Sequence, residues 1–278
     1  MPEIDPKSKE LYDAMKYSLL AGGKRIRPVL LLAAYDLGSR PLRLALPHAI
    51  AAEYIHTYSL IHDDLPAMDD DDLRRGMPTC HKVHGEAMAI LAGDGLLSAA
   101  HEIMSKSMLL HMDDAELLKC IVRAVFSINK GTGVRGMVAG QASDVESEGK
   151  NVSNEMLEYI HYQKTAAFIR ACVMAGGFLA GLDQDTMNDL DIYGENVGLA
   201  FQVVDDILDV VSSVEDLGHT IGKDAAQGKQ TFPAMFGIEK SKEIANAYLD
   251  KAMGAIEKYY DNAAVLAEVV KMLRDKIA

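Results

Sequence analysis

Apolar residues recur at three- and four-residue spacing along most of the chain, in long runs joined by short polar links, while strict apolar/polar alternation is rare. The pattern predicts helices over about 7–22, 27–39, 44–65, 80–110, 113–145, 153–181, 185–213 and 230–277, the last broken near Asp261-Asn262. Between them the stops are legible. Asn151-Val152-Ser153-Asn154-Glu155 offers an N-cap with Glu155 in the first turn, and Gly181-Leu182-Asp183 ends a helix and turns the chain. No Ser/Gly-rich linker divides the sequence, so the expectation is an all-α protein, one large bundle and one domain over residues 1–278.

Composition agrees and narrows the function. Only eight prolines occur in 278 residues, Trp is absent and 15 residues are Met, which keeps helix propensity high. The 28 Lys and Arg against 41 Asp and Glu leave a net charge of −13, which argues against a nucleic-acid-binding domain. Cys80, Cys120 and Cys172 are too few and too scattered for a disulfide framework or a zinc site; they read as reduced thiols packed as small residues. No run of about 18 apolar residues is present, and Met1-Pro2-Glu3-Ile4-Asp5 lacks the character of a signal peptide, so cytoplasmic residence without stable membrane insertion is expected.

Two acidic clusters each lie in or just after a long apolar run. The first, Asp63-Asp64-Leu65-Pro66-Ala67-Met68-Asp69-Asp70-Asp71-Asp72, puts six carboxylates in ten positions. Hard oxygen donors at that density suit Mg²⁺ or Ca²⁺, and the spacing is not that of a calcium loop, which favours magnesium. Asp63 and Asp69 would sit about 600° apart on a continuous helix, but Pro66 ends the helix and lets the loop fold Asp69 back toward Asp63. In the second cluster, Gln202, Asp205 and Asp209 fall at i, i+3 and i+7 and share one helix face. One acidic run alone reads equally well as a solvated face; two embedded in apolar helices carry a desolvation cost that a shared metal-diphosphate ligand would relieve.

Cations supply the complement. Gly22-Gly23-Lys24-Arg25-Ile26-Arg27-Pro28 is a glycine-flexible basic loop entering a helix, suited to a phosphate although it lacks P-loop spacing. Arg74-Arg75, Lys164-Thr165, Lys223 and Lys229 add further charge. His56 precedes Asp63 by seven residues, about −20° around the helix, so both face the same way. Met137 and Gln141 share a face at i and i+4; they read as core or as cavity wall.

These segments together, with Ser59-Leu60-Ile61-His62-Asp63 through Gly76, Gly136-Met137-Val138-Ala139-Gly140-Gln141, Gln163-Lys164-Thr165, Gly198 to Asp209 and Gly222-Lys223-Asp224, closely resemble the trans-isoprenyl diphosphate synthases over nearly the whole chain. The spacing of Asp63-Asp64 to Asp69 is similar to that of bacterial farnesyl and plant-type geranylgeranyl diphosphate synthases. The resemblance implies the isoprenoid synthase bundle around a central apolar cavity, usually a homodimer. It also implies the chemistry: an allylic diphosphate ionises, the double bond of isopentenyl diphosphate attacks the cation, and a proton leaves. Three Mg²⁺ ions and cationic side chains neutralise the departing diphosphate.

By the same resemblance Asp63, Asp64, Asp69, Asp205 and Asp209 hold metal. Arg74, Lys164, Thr165, Gln202, Lys223 and Lys229 contact the allylic diphosphate, and Gly23, Lys24, Arg27, His56 and Arg75 hold isopentenyl diphosphate. No side-chain base is assigned, because the released diphosphate is the family's usual proton acceptor. Tyr58, five residues before Asp63, stands where an aromatic limits product length, which implies farnesyl diphosphate, with geranylgeranyl diphosphate as the alternative. Two departures from the family pattern stand out. His219 replaces a common lysine, with Lys223 four residues on, and the chain before Gly22 is shorter than in relatives that carry a further leading helical segment. A class I terpene cyclase and a silent partner subunit are the competing expectations; Lys24, Arg27 and Arg75 weigh against the first and the presence of both acidic motifs against the second.

Overall fold

Glycines cut the long apolar runs into shorter helices than periodicity alone suggests. The computed structural model describes residues 5–211, 231–259 and 262–278. A 3-10 turn at Pro6–Ser8 leads into α1 (Lys9–Leu20), followed by α2 (Ile26–Tyr35) and α3 (Leu46–Asp63), all close to their expected ranges. The run over 80–110 is two helices, α4 (Cys80–His84) and α5 (Glu86–Leu109), because Gly85 at φ 82° takes a conformation that side-chain-bearing residues avoid. The run over 113–145 divides into α6 (Ala115–Thr132) and α7 (Met137–Ser147) around the glycines at 133 and 136.

Ser153 caps α8 (Asn154–His161), its hydroxyl accepting from the Met156 amide at 3.2 Å, and a π turn (Tyr162–Ala166) joins α8 to α9 (Ala167–Ala180). Gly181, at φ 73°, closes α9 as expected, and α10 (Gln184–Val211) follows. The expected terminal helix becomes α11 (Phe232–Phe236), α12 (Ile238–Ile256) and α13 (Ala264–Asp275). Gly237 at φ 80° makes the first of these breaks; at the second, α12 gives way to a 3-10 turn (Glu257–Tyr259) before α13, and Asp261 of the expected break lies outside the described residues. A small hairpin not expected from the pattern, β1 (Leu73–Arg74) paired antiparallel to β2 (Met77–Pro78), presents the two arginines.

Eleven of the fourteen residues of α9 are buried, which makes it the central helix. It packs against α2, α6 and α10, while α3 packs on α5 and α10 on α12. One apolar cluster gathers around α1, α3, α5 and α6, with Ile55, Leu96, Met104 and Ile128 fully buried. The other gathers around α10, α12 and α13, with Tyr193, Leu249 and Leu266 fully buried. Helices α2 and α9 contribute to both. Cys80 and Cys172 are buried free thiols; Cys120 is only half-buried, which corrects the expectation for that residue. Among the described residues no helix is long and apolar enough to cross a membrane.

Candidate active site

A cavity of about 820 Å³ is bounded by the start of α2, the C-terminal half of α3, α7, the π turn and α10. Charged groups occupy part of its wall, Lys24, Arg27, Asp63, Lys164 and Asp205 among them, and Tyr58, Met68, Met137 and Val145 give it an apolar part.

Asp63 closes α3, and the loop behind it folds back as Pro66 suggests: the Asp69 amide donates to the Asp63 carbonyl at 2.8 Å and the Asp71 amide to the Asp64 carbonyl at 3.2 Å. Burial pushes the Asp63 carboxyl up to about 6; Lys164 works against that shift and Asp69 adds to it. Asp64 points elsewhere. It is 3% exposed and accepts from Arg74, whose Nε lies 2.9 Å from Oδ1 and whose Nη2 bonds the same oxygen. Arg74 also reaches Asp71 at 3.4 Å.

On α10 the side chain of Asp205 is half exposed, and its carboxylate lies 4.0 Å from Lys24 Nζ. Gln202, one turn earlier, lines the cavity, accepts from the Thr165 hydroxyl at 2.7 Å and donates to Asp206 at 3.0 Å. Asp209 is half-buried farther along α10, outside the cavity lining. The Lys164 ammonium is held by Asp144 at 2.5 Å. Burial works against its charge, but Asp144, Asp63 and Asp69 outweigh it and hold the proton more tightly than water would.

The basic loop is strained into shape. Arg25 takes φ 51°, lines the cavity and bonds Glu53 and the Leu19 carbonyl. Arg75, at φ 55°, bonds the Gly22 carbonyl and packs its guanidinium where a side chain at Gly23 would stand. Arg27 is buried, donates to His56 Nε2 at 3.3 Å and lies over the Phe168 ring at 5.2 Å. Burial first, and then Arg27, hold His56 well below its usual range, so the ring is neutral and its proton sits on Nδ1. Arg27 Nε and His56 Nδ1 are both buried without a partner among the described residues, as are both amide atoms of Gln141. Arg27, His56 and Gln141 all line the cavity, and each keeps hydrogen-bonding capacity that the described residues leave unused.

Among the described residues no three carboxylate, imidazole or thiolate side chains converge on a single point. Asp63 and Asp205 line one cavity from different walls, and the burial cost at Asp63 is the kind a divalent cation shared with ligand oxygens relieves. The donor set therefore fits Mg²⁺.

Two residues escaped the sequence. Asp144 follows Met137 and Gln141 at i+7 and i+3 on one face of α7, a spacing that could have revealed it. Lys276, just past α13, lines the cavity near Lys24, a long-range approach with no local signal. Lys223, Lys229 and His219 lie outside the described residues.

The polyprenyl synthetase family model matches residues 8–273. The chain is 45% identical over 256 residues to geranylgeranyl diphosphate synthase of Cyanophora paradoxa, covering 92% of this chain and 83% of that protein. It is 44% identical over 265 residues to farnesyl diphosphate synthase of Geobacillus stearothermophilus, covering 95% and 88%. Among solved structures, the Helicobacter pylori geranyltransferase complexed with magnesium and isoprenyl diphosphate superposes with a TM-score of 0.83 at 32% identity, over 99% of this chain and 89% of that one. These matches cover 92–99% of this chain and 83–89% of each relative, and both acidic pairs lie within the span of the family model. The chain belongs to the polyprenyl synthetase family and is a short-chain trans-prenyl diphosphate synthase.

Proposed function

We propose that the chain condenses isopentenyl diphosphate with dimethylallyl or geranyl diphosphate and releases farnesyl diphosphate, with Mg²⁺ as its metal. The observation that carries this reading is one cavity combining three elements: carboxylates from two helices, cations that need no metal, and an aromatic on the apolar wall. Asp63, Asp69 and Asp205 would hold the metal, with Asp209 farther out. Bound there, the metal supplies the positive charge that lets diphosphate depart. Lys164, held near Asp63 by Asp144, adds a cation on the same side. Arg27 and neutral His56, with Lys24, Gly23 and Arg75, form a cationic wall suited without metal to the diphosphate that must stay intact, and Lys24 reaches across to Asp205 at 4.0 Å.

Tyr58 supports the farnesyl product. It is 8% exposed, lines the cavity, and meets His62 edge-on with ring centroids 5.7 Å apart, so its ring is braced. Geranylgeranyl diphosphate is the second reading, favoured by the 45% identity to the Cyanophora paradoxa enzyme. We further infer one synthase domain, a cytoplasmic homodimer, and three Mg²⁺ ions per site. Exposed Ile90, Leu91, Val122 and Phe126 on the adjoining α5 and α6 support the dimer.

The deciding experiment incubates purified protein with Mg²⁺, labelled isopentenyl diphosphate and each allylic primer, then chromatographs the dephosphorylated product. A fifteen-carbon alcohol is expected. A twenty-carbon product selects the second reading, and no incorporation from any primer selects the silent subunit.

A further inference from the structure

Each acidic cluster begins with an adjacent pair of aspartates, and the two members of each pair face different ways. Neighbours on a helix point about 100° apart, and here only one member of each pair lines the cavity. Asp63 and Asp205 line it; Asp64 and Asp206 are each 3% exposed. Asp64 turns to Arg74 of the hairpin. Asp206 turns to a larger set of partners.

Its Oδ1 accepts from Gln202 Nε2 at 3.0 Å and its Oδ2 from the backbone amide of Phe232 at 3.0 Å. Gln202 in turn accepts from the Thr165 hydroxyl at 2.7 Å. His161 Nε2 stands 3.7 Å from Oδ2, and its ring lies 5.1 Å from that of Phe232. A continuous chain of hydrogen bonds therefore joins the π turn, α10 and the first residue of α11 at one buried carboxylate. Burial pushes His161 down to about 4, so the Asp206 charge is met here by N–H donors and not by an imidazolium. Orientation follows from the donor pattern. With its amide nitrogen on Asp206, Gln202 must turn its oxygen to Thr165, and the Thr165 hydroxyl hydrogen is committed.

We propose that Asp206 is a positioning residue that fixes Gln202, and through it Thr165, on the allylic side of the cavity while anchoring the start of α11, and that it does not hold metal. The proposal rests on the reading that Gln202 and Thr165 meet the allylic diphosphate.

The test compares Asp205→Ala, Asp206→Ala and Asp206→Asn in the full chain, reading half-saturating Mg²⁺, both substrate KM values and hydrogen exchange at the Phe232 amide. Asp206→Ala is expected to raise the allylic KM about ten-fold, the loss of one charge-assisted link, and to speed Phe232 exchange, with half-saturating Mg²⁺ and the isopentenyl KM within about two-fold of the original. Asp205→Ala should raise the Mg²⁺ requirement instead. Asp206→Asn retains one carbonyl acceptor and should show a smaller allylic defect; it decides by the same measurements if the alanine variant does not fold. A rise in Mg²⁺ requirement matching that of Asp205→Ala, or an unchanged allylic KM, overturns the proposal. Phe232 exchange and equilibrium binding of inorganic pyrophosphate with Mg²⁺ need no turnover, so a wild-type protein that fails to condense substrates would count against the assigned reaction and leave this test standing.

Discussion

Gly140 of α7 lies directly against the backbone of Lys164 in the π turn: a Cβ at position 140 would stand 2.7 Å from the Gln163 carbonyl carbon and closer still to the Lys164 nitrogen. That close approach lets Asp144, four residues on, reach the Lys164 ammonium. Because the obstacle is backbone, Gly140→Ala must push α7 away. We expect kcat/KM for the allylic substrate to fall at least about ten-fold and stability to fall by about 1–3 kcal/mol, as for other overpacked sites. Gly254 in α12 has nothing within 4 Å of its would-be Cβ, so Gly254→Ala should instead stabilise by about 0.5–1 kcal/mol. Denaturant unfolding of both variants checks the contrast; equal behaviour would show that the contact at Gly140 is not limiting.

Asp63 yields a prediction about pH. Burial raises its carboxyl from 3.8 to about 6, so the metal-free fold holds this proton more tightly than the unfolded chain does. The ionised carboxylate therefore costs stability above about pH 6, and that cost disappears as pH falls toward 4. Without metal, Asp63→Asn should be more stable than the original at pH 7.5, with the gap closing between pH 6 and 4. Adding Mg²⁺ and pyrophosphate should raise the Tm of the original protein and scarcely that of the variant. Melting curves across pH test this, and a gap independent of pH would show that Asp63 carries no such burden.

The sequence already displayed what depends on neighbours in the chain. Pro66 foretold the return of Asp69 to Asp63, now seen as a 2.8 Å backbone bond. Seven-residue spacing put His56 and Asp63 on one cavity. Helix breaks at Gly85 and Gly237 were missed, because a lone glycine in an apolar run costs only about 1 kcal/mol and reads as tolerated until tertiary packing bends the chain there. The i, i+3, i+7 spacing already set Asp205 apart from Asp206, whereas the turn of Asp64 to Arg74 was not legible. Asp64 looks like Asp63 in one dimension, and only the hairpin carrying Arg74 decides that its carboxylate turns away; for Asp206 the sequence left its partner, the Phe232 amide, unseen. Lys276 arrives from some 250 residues beyond Lys24, a distance no periodicity spans.

The different surroundings of Arg27 and Lys164 predict separable defects. Arg27 sits with His56 on α2 and α3, whereas Lys164 sits with Asp144 beside Asp63. Arg27→Ala should chiefly raise the KM for isopentenyl diphosphate and Lys164→Ala chiefly that for the allylic substrate, each by about ten-fold or more for one lost charge-assisted contact. Steady-state kinetics with each substrate varied in turn will show the division, and identical effects on both KM values would refute it.

Product length is set, on our proposal, by Tyr58. Five residues before Asp63, it lies about 7.5 Å back along α3 from the residue at which the reacting end is held. Rotation by about 140° could have carried it away from the cavity, but the ring lines the wall and is braced edge-on by His62. His62 is itself fixed, with Nε2 3.0 Å from the Ile90 carbonyl and its ring filling the space above Gly93 of α5, so the aromatic stop has little room to yield. Tyr58→Ala removes the ring and leaves that bracing in place, opening the apolar wall to a longer chain. We expect the main product to shift from fifteen carbons to twenty or more, with Mg²⁺ dependence unchanged and the KM for isopentenyl diphosphate within about two-fold, because the substitution removes none of the groups assigned to metal or diphosphate. Chromatography of dephosphorylated products from the two proteins decides it: a fifteen-carbon product from a folded, active variant would mean that a different wall residue stops elongation, and the farnesyl assignment would lose its physical basis.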